Sequence, residues 1–309
     1  MISTFAAPGT TFNVDRPLFF DSGTEKLFGV LTEPTTSVAS EIGLLIAKGA
    51  GNDNSVSRNH VWTEMASRLA QRGFRVLRFH YTGTGESTGS VEGFDMKRLA
   101  SDQVQAAAAA LLNTGCQKVV MFGACYGARV VLAASEQISQ TAGLALESPP
   151  LRDNVLGERV AHVMAREKSF KHYLQRAFRL TVVRRLFSSE WRRAYWRLAR
   201  VKLRMSTVGE SAPTATVGNY RLSANFIRPL TAALDHGVPV LFIHGLADEH
   251  RRGFQEALDS GLQNVLETHG ELVEMADYEG RVHAQLVADG NEYLVDEVVD
   301  WVVRRFGSE

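Results

Sequence analysis

The sequence predicts an α/β fold: a mostly parallel central sheet, helices on both faces, and a helical segment inserted between two strands. Three observations predict it. Continuous apolar runs recur along the chain, at IGLLIAKG (42–49), FRVLRFHY (74–81), KVVMFGA (118–124), GLALESPP (143–150) and VPVLFIHG (238–245). Runs of this kind read as strands buried on both faces, which requires helices on both sides of the sheet. Segments of helical period alternate with them, and strand–helix–strand alternation is the mark of a parallel sheet. Between about 151 and 235 the alternation lapses into a stretch rich in arginine and aromatic residues.

Each element follows from its pattern. Residues 12–32 alternate loosely and read as an antiparallel hairpin. In 60–73, Val61, Met65 and Leu69 fall at helical spacing, and Gly73 supplies the stop. The alanine-rich run from Met96 to Asn113 reads as a helix, as do 128–137, 252–264 and 285–306. A last strand is expected near 271–277. The expected organisation is a first core segment over 1–150, a helical lid insertion over 151–235 and a second core segment over 236–309.

Composition narrows the class. The 309 residues are 45% hydrophobic and 22% charged, with zero formal net charge. A neutral chain without a recognition module is not built to bind nucleic acid. No apolar run is long enough for a membrane span and the N-terminus has no leader pattern, so a cytoplasmic protein is expected. The two cysteines, Cys116 and Cys125, lie along one expected strand. Extended chain puts them roughly 30 Å apart, beyond disulfide reach. No metal-ligand spacing and no dinucleotide-binding loop is present, so neither a metal nor an organic cofactor is expected.

The chemistry concentrates at Gly123-Ala124-Cys125-Tyr126-Gly127, between an apolar strand and a small-residue helix. This is the G-x-S-x-G nucleophile turn with cysteine at its centre. Gly123 and Gly127 let strand and helix crowd together, and the central side chain is thrust above the sheet edge. The helix start puts the Tyr126 N–H where an oxyanion would form. The plainer reading of Cys125, a small buried hydrophobe, is outweighed by this strand–turn–helix context. Cys116 starts the strand at its far end and is read as structural.

On such a fold the acid and then the histidine follow the nucleophile in chain order. Asp248, just past the strand 238–245, is the expected acid, and His283, before the last helix, the expected base. Glu147, at the end of the preceding strand, is the rival acid. His236, His244, His250 and His269 are weaker candidates for the base. The second oxyanion donor is expected in Lys48-Gly49-Ala50-Gly51-Asn52, from Ala50 and Gly51.

Arg152 to Arg204 holds 15 Lys and Arg against 4 Asp and Glu, interleaved with Phe170, Tyr173, Trp191 and Trp196. The plainer reading is an amphipathic lid whose arginines meet solvent and an acidic core. The sharper reading is a docking surface, with Arg192 and Arg193 foremost, for an acyl carrier protein or a coenzyme A thioester.

The nucleophile turn, with Asp248 and His283 in order, resembles the α/β-hydrolase superfamily over nearly the whole chain. Val76–Ser87 and the arginine- and tryptophan-rich insertion are similar to the exosortase-associated hydrolases, some of which carry cysteine at this turn. The architecture also resembles cysteine-dependent dienelactone hydrolases and the hydrolase-fold enzymes of spirotetronate biosynthesis that eliminate acetate. His80 departs from the aspartate usual in such relatives. The resemblance implies a Cys-His-Asp triad acting on an ester or thioester, by hydrolysis or acyl transfer. Two alternatives stand beside it: a lyase expelling acetate from an acetylated intermediate, and a non-catalytic protein that binds a partner on the same fold.

Overall fold

The structure, a computed structural model, describes residues 14–34, 39–49, 60–90, 96–153, 214–217, 220–248, 250–283 and 288–307. The apolar runs form one eight-stranded sheet. In chain order its strands are β1 (Val14–Ser22), β2 (Glu25–Glu33), β3 (Ile42–Ala47), β4 (Arg75–Phe79), β5 (Lys118–Ala124), β6 (Thr141–Glu147), β9 (Val240–Gly245) and β10 (Val273–Tyr278). A separate two-stranded ribbon is made by β7 (Thr214–Val217) and β8 (Tyr220–Ser223). Across the large sheet the order is β1-β2-β4-β3-β5-β6-β9-β10. β1, β2 and β4 pair antiparallel, and every pair from β4 to β10 is parallel.

The helices are α1 (Val61–Ala70), α2 (Ser101–Leu112), α3 (Tyr126–Ser135), α4 (Ala224–Asp235), α5 (Arg251–Ala257), α6 (Gln263–Glu267) and α7 (Ala288–Phe306). α1 packs on α7, whereas α2 packs on α3 and α3 on α4. Under α1 and α7 lies a core that includes Trp62, Phe122, Ile243 and Trp301. Strand residues one step out of phase, Leu45, Met121 and Phe242, are equally buried. That is the two-sided burial that continuous apolar strands require. The chain leaves β3 for β4 on one side and then returns to β5 on the other. The carboxyl ends of β3 and β5 therefore flank a topological switch point, where open α/β sheets bind ligands.

Three expectations change on contact with the structure. The helix expected from Met96 begins at Ser101, because the preceding turn carries an anchor: the Ala100 N–H donates to Tyr126 Oη at 3.2 Å. The helix expected over 252–264 is interrupted by a wide turn over Leu258–Leu262, where Gly261 takes φ 128°, outside helical geometry. Thr214–Asp235, expected within the insertion, forms β7, β8 and α4 and belongs to the same compact unit as the sheet. The separate unit is the shorter Asn154–Pro213, which lies outside the described residues, as do Arg192 and Arg193.

Where the chain departs from β6 and returns at β8, one buried arginine ties the two ends. Arg129 of α3 donates to the Pro150 carbonyl, Asp153 Oδ1 and Ser223 Oγ, each at 2.8 Å. Burial lowers its pKa, and the hydrogen bond and charge of Asp153 offset only part of that. No helix among the described residues is long and apolar enough to cross a membrane.

Candidate active site

The nucleophile turn is built as its glycines demand. A Cβ at Gly123 would lie 2.5 Å from Ala128 Cα, and one at Gly127 would lie 2.2 Å from the Ala47 carbonyl oxygen. Strand β5, helix α3 and the end of β3 thus approach more closely than any side chain allows. Between the glycines, Cys125 holds φ 49° and ψ −111°. A non-glycine residue pays on the order of 1–3 kcal/mol for such a conformation, so the surrounding packing has to impose it. Its backbone is pinned on both sides: the Cys125 N–H donates to the Glu147 carbonyl at 2.8 Å, and the Cys125 carbonyl accepts from Ala128 N–H at 3.1 Å. A Cβ built on Gly49, after β3, would lie 3.6 Å from Cys125 Cβ. Ala50 and Gly51, the expected oxyanion donors, lie outside the described residues. Tyr126 opens α3 with its ring buried against Tyr81.

Two histidines come to the sulfur. One ligand atom each from Cys125, His250 and His283 lie within 4.8 Å of one another, with Cys125 Sγ 3.9 Å from His250 Nε2. The rings of His250 and His283 meet edge to face, centroids 5.0 Å apart. His283 Nδ1 lies 3.3 Å from Glu147 Oε1, and the Glu147 side chain is fully buried. Burial pulls the His283 imidazole towards its neutral form. Hydrogen bonds to Cys125 and Glu147, with their negative charge, outweigh that pull and raise its pKa to about 11. Glu147 Oε2 has no hydrogen-bond partner among the described residues, so this carboxylate is committed to the imidazole.

Asp248, the expected partner of the imidazole, faces elsewhere. Its Oδ2 accepts from Gly245 N–H at 2.7 Å and from Ser148 Oγ at 3.2 Å. Its Oδ1 accepts from Val282 N–H at 3.2 Å, and both oxygens accept from His283 N–H at 3.1 Å. The physical reason is the tight turn after β9, where Asp248 N–H bonds back to the Gly245 carbonyl. That turn curls the carboxylate under the loop carrying His283. Asp248 therefore holds the backbone of the histidine, and Glu147 holds its ring.

The other histidines divide cleanly. His236 Nδ1 lies 2.6 Å from the Ala232 carbonyl, and His269 Nε2 lies 3.0 Å from Asp235. His244 is buried inside β9 against Phe254; burial, then the positive charge of Arg251 and His250, lowers its pKa to about 3. His250 is the residue that sequence order undervalues. Its only signal is its place beside Asp248, and the turn that buries the aspartate swings His250 onto the sulfur. Cys116 is buried beside Thr114 Oγ1 at 3.7 Å and touches none of this.

The comparisons agree with this architecture. The model of the Alpha/beta hydrolase family matches residues 45–285. Among solved structures, an esterase from Pyrococcus furiosus superposes with a TM-score of 0.60 at 13% identity, covering 96% of this chain and 94% of that one. A proline iminopeptidase from Mycobacterium smegmatis gives 0.55 at 17% identity, over 94% of this chain and 98% of that one. A dienelactone hydrolase from Anabaena variabilis gives 0.54 at 15% identity, over 95% and 99%. No curated protein matches by sequence. At these identities the structural likeness speaks for the fold, and the match across 45–285, well over half of the chain, is what makes this protein a member of the alpha/beta hydrolase family.

Proposed function

We propose that this protein opens an ester or thioester through a covalent acyl group on Cys125, with His283 carrying the proton and Glu147 holding the imidazole. One observation carries the reading. Cys125 sits on a strained turn against an imidazole whose Nδ1 lies on a buried carboxylate. That is the nucleophile–base–orienter arrangement of acyl transfer. A buried carboxylate behind the ring fixes its orientation and stabilises the imidazolium.

The steps follow from the chemistry. Cys125 sulfur attacks the carbonyl carbon, a C–S bond forms, and the electron pair of the C=O moves to oxygen. The oxyanion is assigned to the Tyr126 N–H and the backbone after β3. As the tetrahedral species collapses, His283 gives its proton to the departing alkoxide or thiolate. In the acyl-enzyme the sulfur no longer bears charge, so one of the two anions that hold the proton on His283 is gone. The neutral imidazole then takes a proton from water, which attacks the thioester and releases the acid. Thiolate is both a good nucleophile and a good leaving group, which favours activated esters and thioesters over amides. The esterase and the dienelactone hydrolase among the structural neighbours fit ester chemistry.

The test is turnover of p-nitrophenyl acetate and of an acyl-coenzyme A or acyl carrier thioester, followed by product analysis. Acid plus alcohol or thiol is expected, with Cys125→Ala slower by about 10⁴-fold at unchanged fold. A new alkene in the product would replace this reading with carboxylate elimination. A folded protein whose Cys125 resists iodoacetamide would replace it with partner binding.

A further inference from the structure

The hydrolytic reading uses one histidine, and the site holds two. We propose that Cys125 Sγ, His250 Nε2 and His283 Nε2 form a binding site for zinc, which caps the nucleophile and switches it off reversibly. The donor set is one thiolate and two imidazoles, which zinc takes and which magnesium and calcium refuse. The three donor atoms lie within 4.8 Å of one another, and the Cys125–His250 pair stands at 3.9 Å. Tetrahedral zinc, with bonds of about 2.0–2.3 Å, wants its donors roughly 3.3–3.7 Å apart. Donor movements of up to about one ångström therefore suffice to reach that spacing.

Glu147 completes the argument. A zinc-bound imidazole presents its second nitrogen to a carboxylate, which fixes the ring and raises its basicity. Here His283 Nδ1 lies 3.3 Å from Glu147 Oε1, which leaves Nε2 for the metal. The carboxylate that serves the acyl chemistry is thus also the outer partner a zinc site requires. His250 stands immediately before helix α5, so its backbone is fixed there. Binding balances simply: zinc replaces the proton shared by the Cys125–His283 pair and any proton on His250, these pass to solvent, and no oxidation state changes. Three protein ligands leave a fourth position for water.

The site involves the proposed nucleophile but does not require that Cys125 be catalytic, and the test separates the two. Cobalt(II) added to the metal-free protein is expected to give a thiolate-to-cobalt charge-transfer band, saturating at one ion per chain and erased by EDTA. Zinc is expected to compete for the cobalt and to protect Cys125 from iodoacetamide, with magnesium doing neither. His250→Asn is expected to weaken zinc by at least about 10²-fold, with His250→Gln as a second variant should the first misfold. Absence of the band, or a folded His250 variant with wild-type affinity, overturns the inference. A reactive thiol and ester turnover without a band would remove the metal site alone. A band in a protein that neither alkylates nor turns over esters would remove the nucleophile reading and leave the metal site standing.

Discussion

Two strand ends face each other across the site, and they use their carboxylates in opposite ways. At the end of β6, Glu147 is still in strand geometry, and its side chain reaches directly to the His283 ring. After β9, Asp248 lies three residues beyond the strand, inside a turn, and its oxygens are consumed by Gly245, Val282, His283 backbone and Ser148. The strained backbone marks the same division. Among the described residues, only His60, Cys125 and Ser148 are non-glycine residues at positive φ, and two of these three flank the Glu147 side of the site. The difference teaches that the loop a carboxylate occupies does not decide its job; the direction of the turn beneath it does.

The comparison can be broken by separating rate from stability. Glu147→Gln keeps the shape and removes the charge behind the imidazole, so the largest effect is expected on turnover. kcat should fall by about 10²–10⁴-fold with little change in melting temperature. Asp248→Asn is expected to act the other way. It exchanges an acceptor-only carboxylate for an amide whose NH₂ group confronts backbone N–H donors, at a cost on the order of 3–4 kcal/mol of stability. Its loss of activity should follow the fraction unfolded. A thermally normal but inactive Asp248→Asn, beside an active Glu147→Gln, would reverse the two roles.

The comparison is sharpened by choosing the pH at which it is made. His80 is 2% exposed, and burial, then the positive charge of Lys48, lowers its pKa to about 4 against the opposing pull of Glu86, with Arg78 adding to the lowering. Unfolding returns it to the ordinary 6.5. Between these values the unfolded chain binds the extra proton, so His80 destabilises the fold as pH falls from about 6.5 towards about 4. Near pH 5 the loss from this group is about 2 kcal/mol. Urea unfolding of wild type and His80→Gln at neutral pH and near pH 5 should show that slope shrinking in the variant. An unchanged slope would clear His80 of the acid sensitivity. The two carboxylate variants are therefore best compared at neutral pH.

Much of this was legible in residues. The apolar runs mark the strands, the Gly-x-Cys-x-Gly spacing marks the turn, and chain order points to His283, which the fold brings near Cys125. These signals are local: periodicity, missing side chains and order along the chain survive in one dimension. The imidazole's carboxylate partner is not legible, because Glu147 ends one strand, Asp248 follows another by three residues, and the direction of that turn does not show in one dimension. His250 is hidden from a one-dimensional reading for the same reason, since the turn that buries Asp248 also delivers His250 to the sulfur. Thr214–Asp235 reads in sequence as part of the insertion because its strands are four residues long, too short to show alternation. His80, the departure from its relatives, reads as a packed neutral ring: a Cβ at Gly85 would lie 1.8 Å from its Nδ1, so the loop has only glycine to offer there.

The proposed chemistry turns on a covalent acyl group on Cys125, formed under the control of Glu147. It is tested most directly by mixing enzyme with p-nitrophenyl acetate, quenching in acid, and following the acetyl mass by peptide mass spectrometry over time. Acetyl is expected on the peptide carrying Cys125, none in Cys125→Ala, slow formation in Glu147→Gln, and a normal rate in the folded fraction of Asp248→Asn. Acetyl on another residue in an enzyme that still turns over, or formation that ignores Glu147→Gln and vanishes in a fully folded Asp248→Asn, would contradict it.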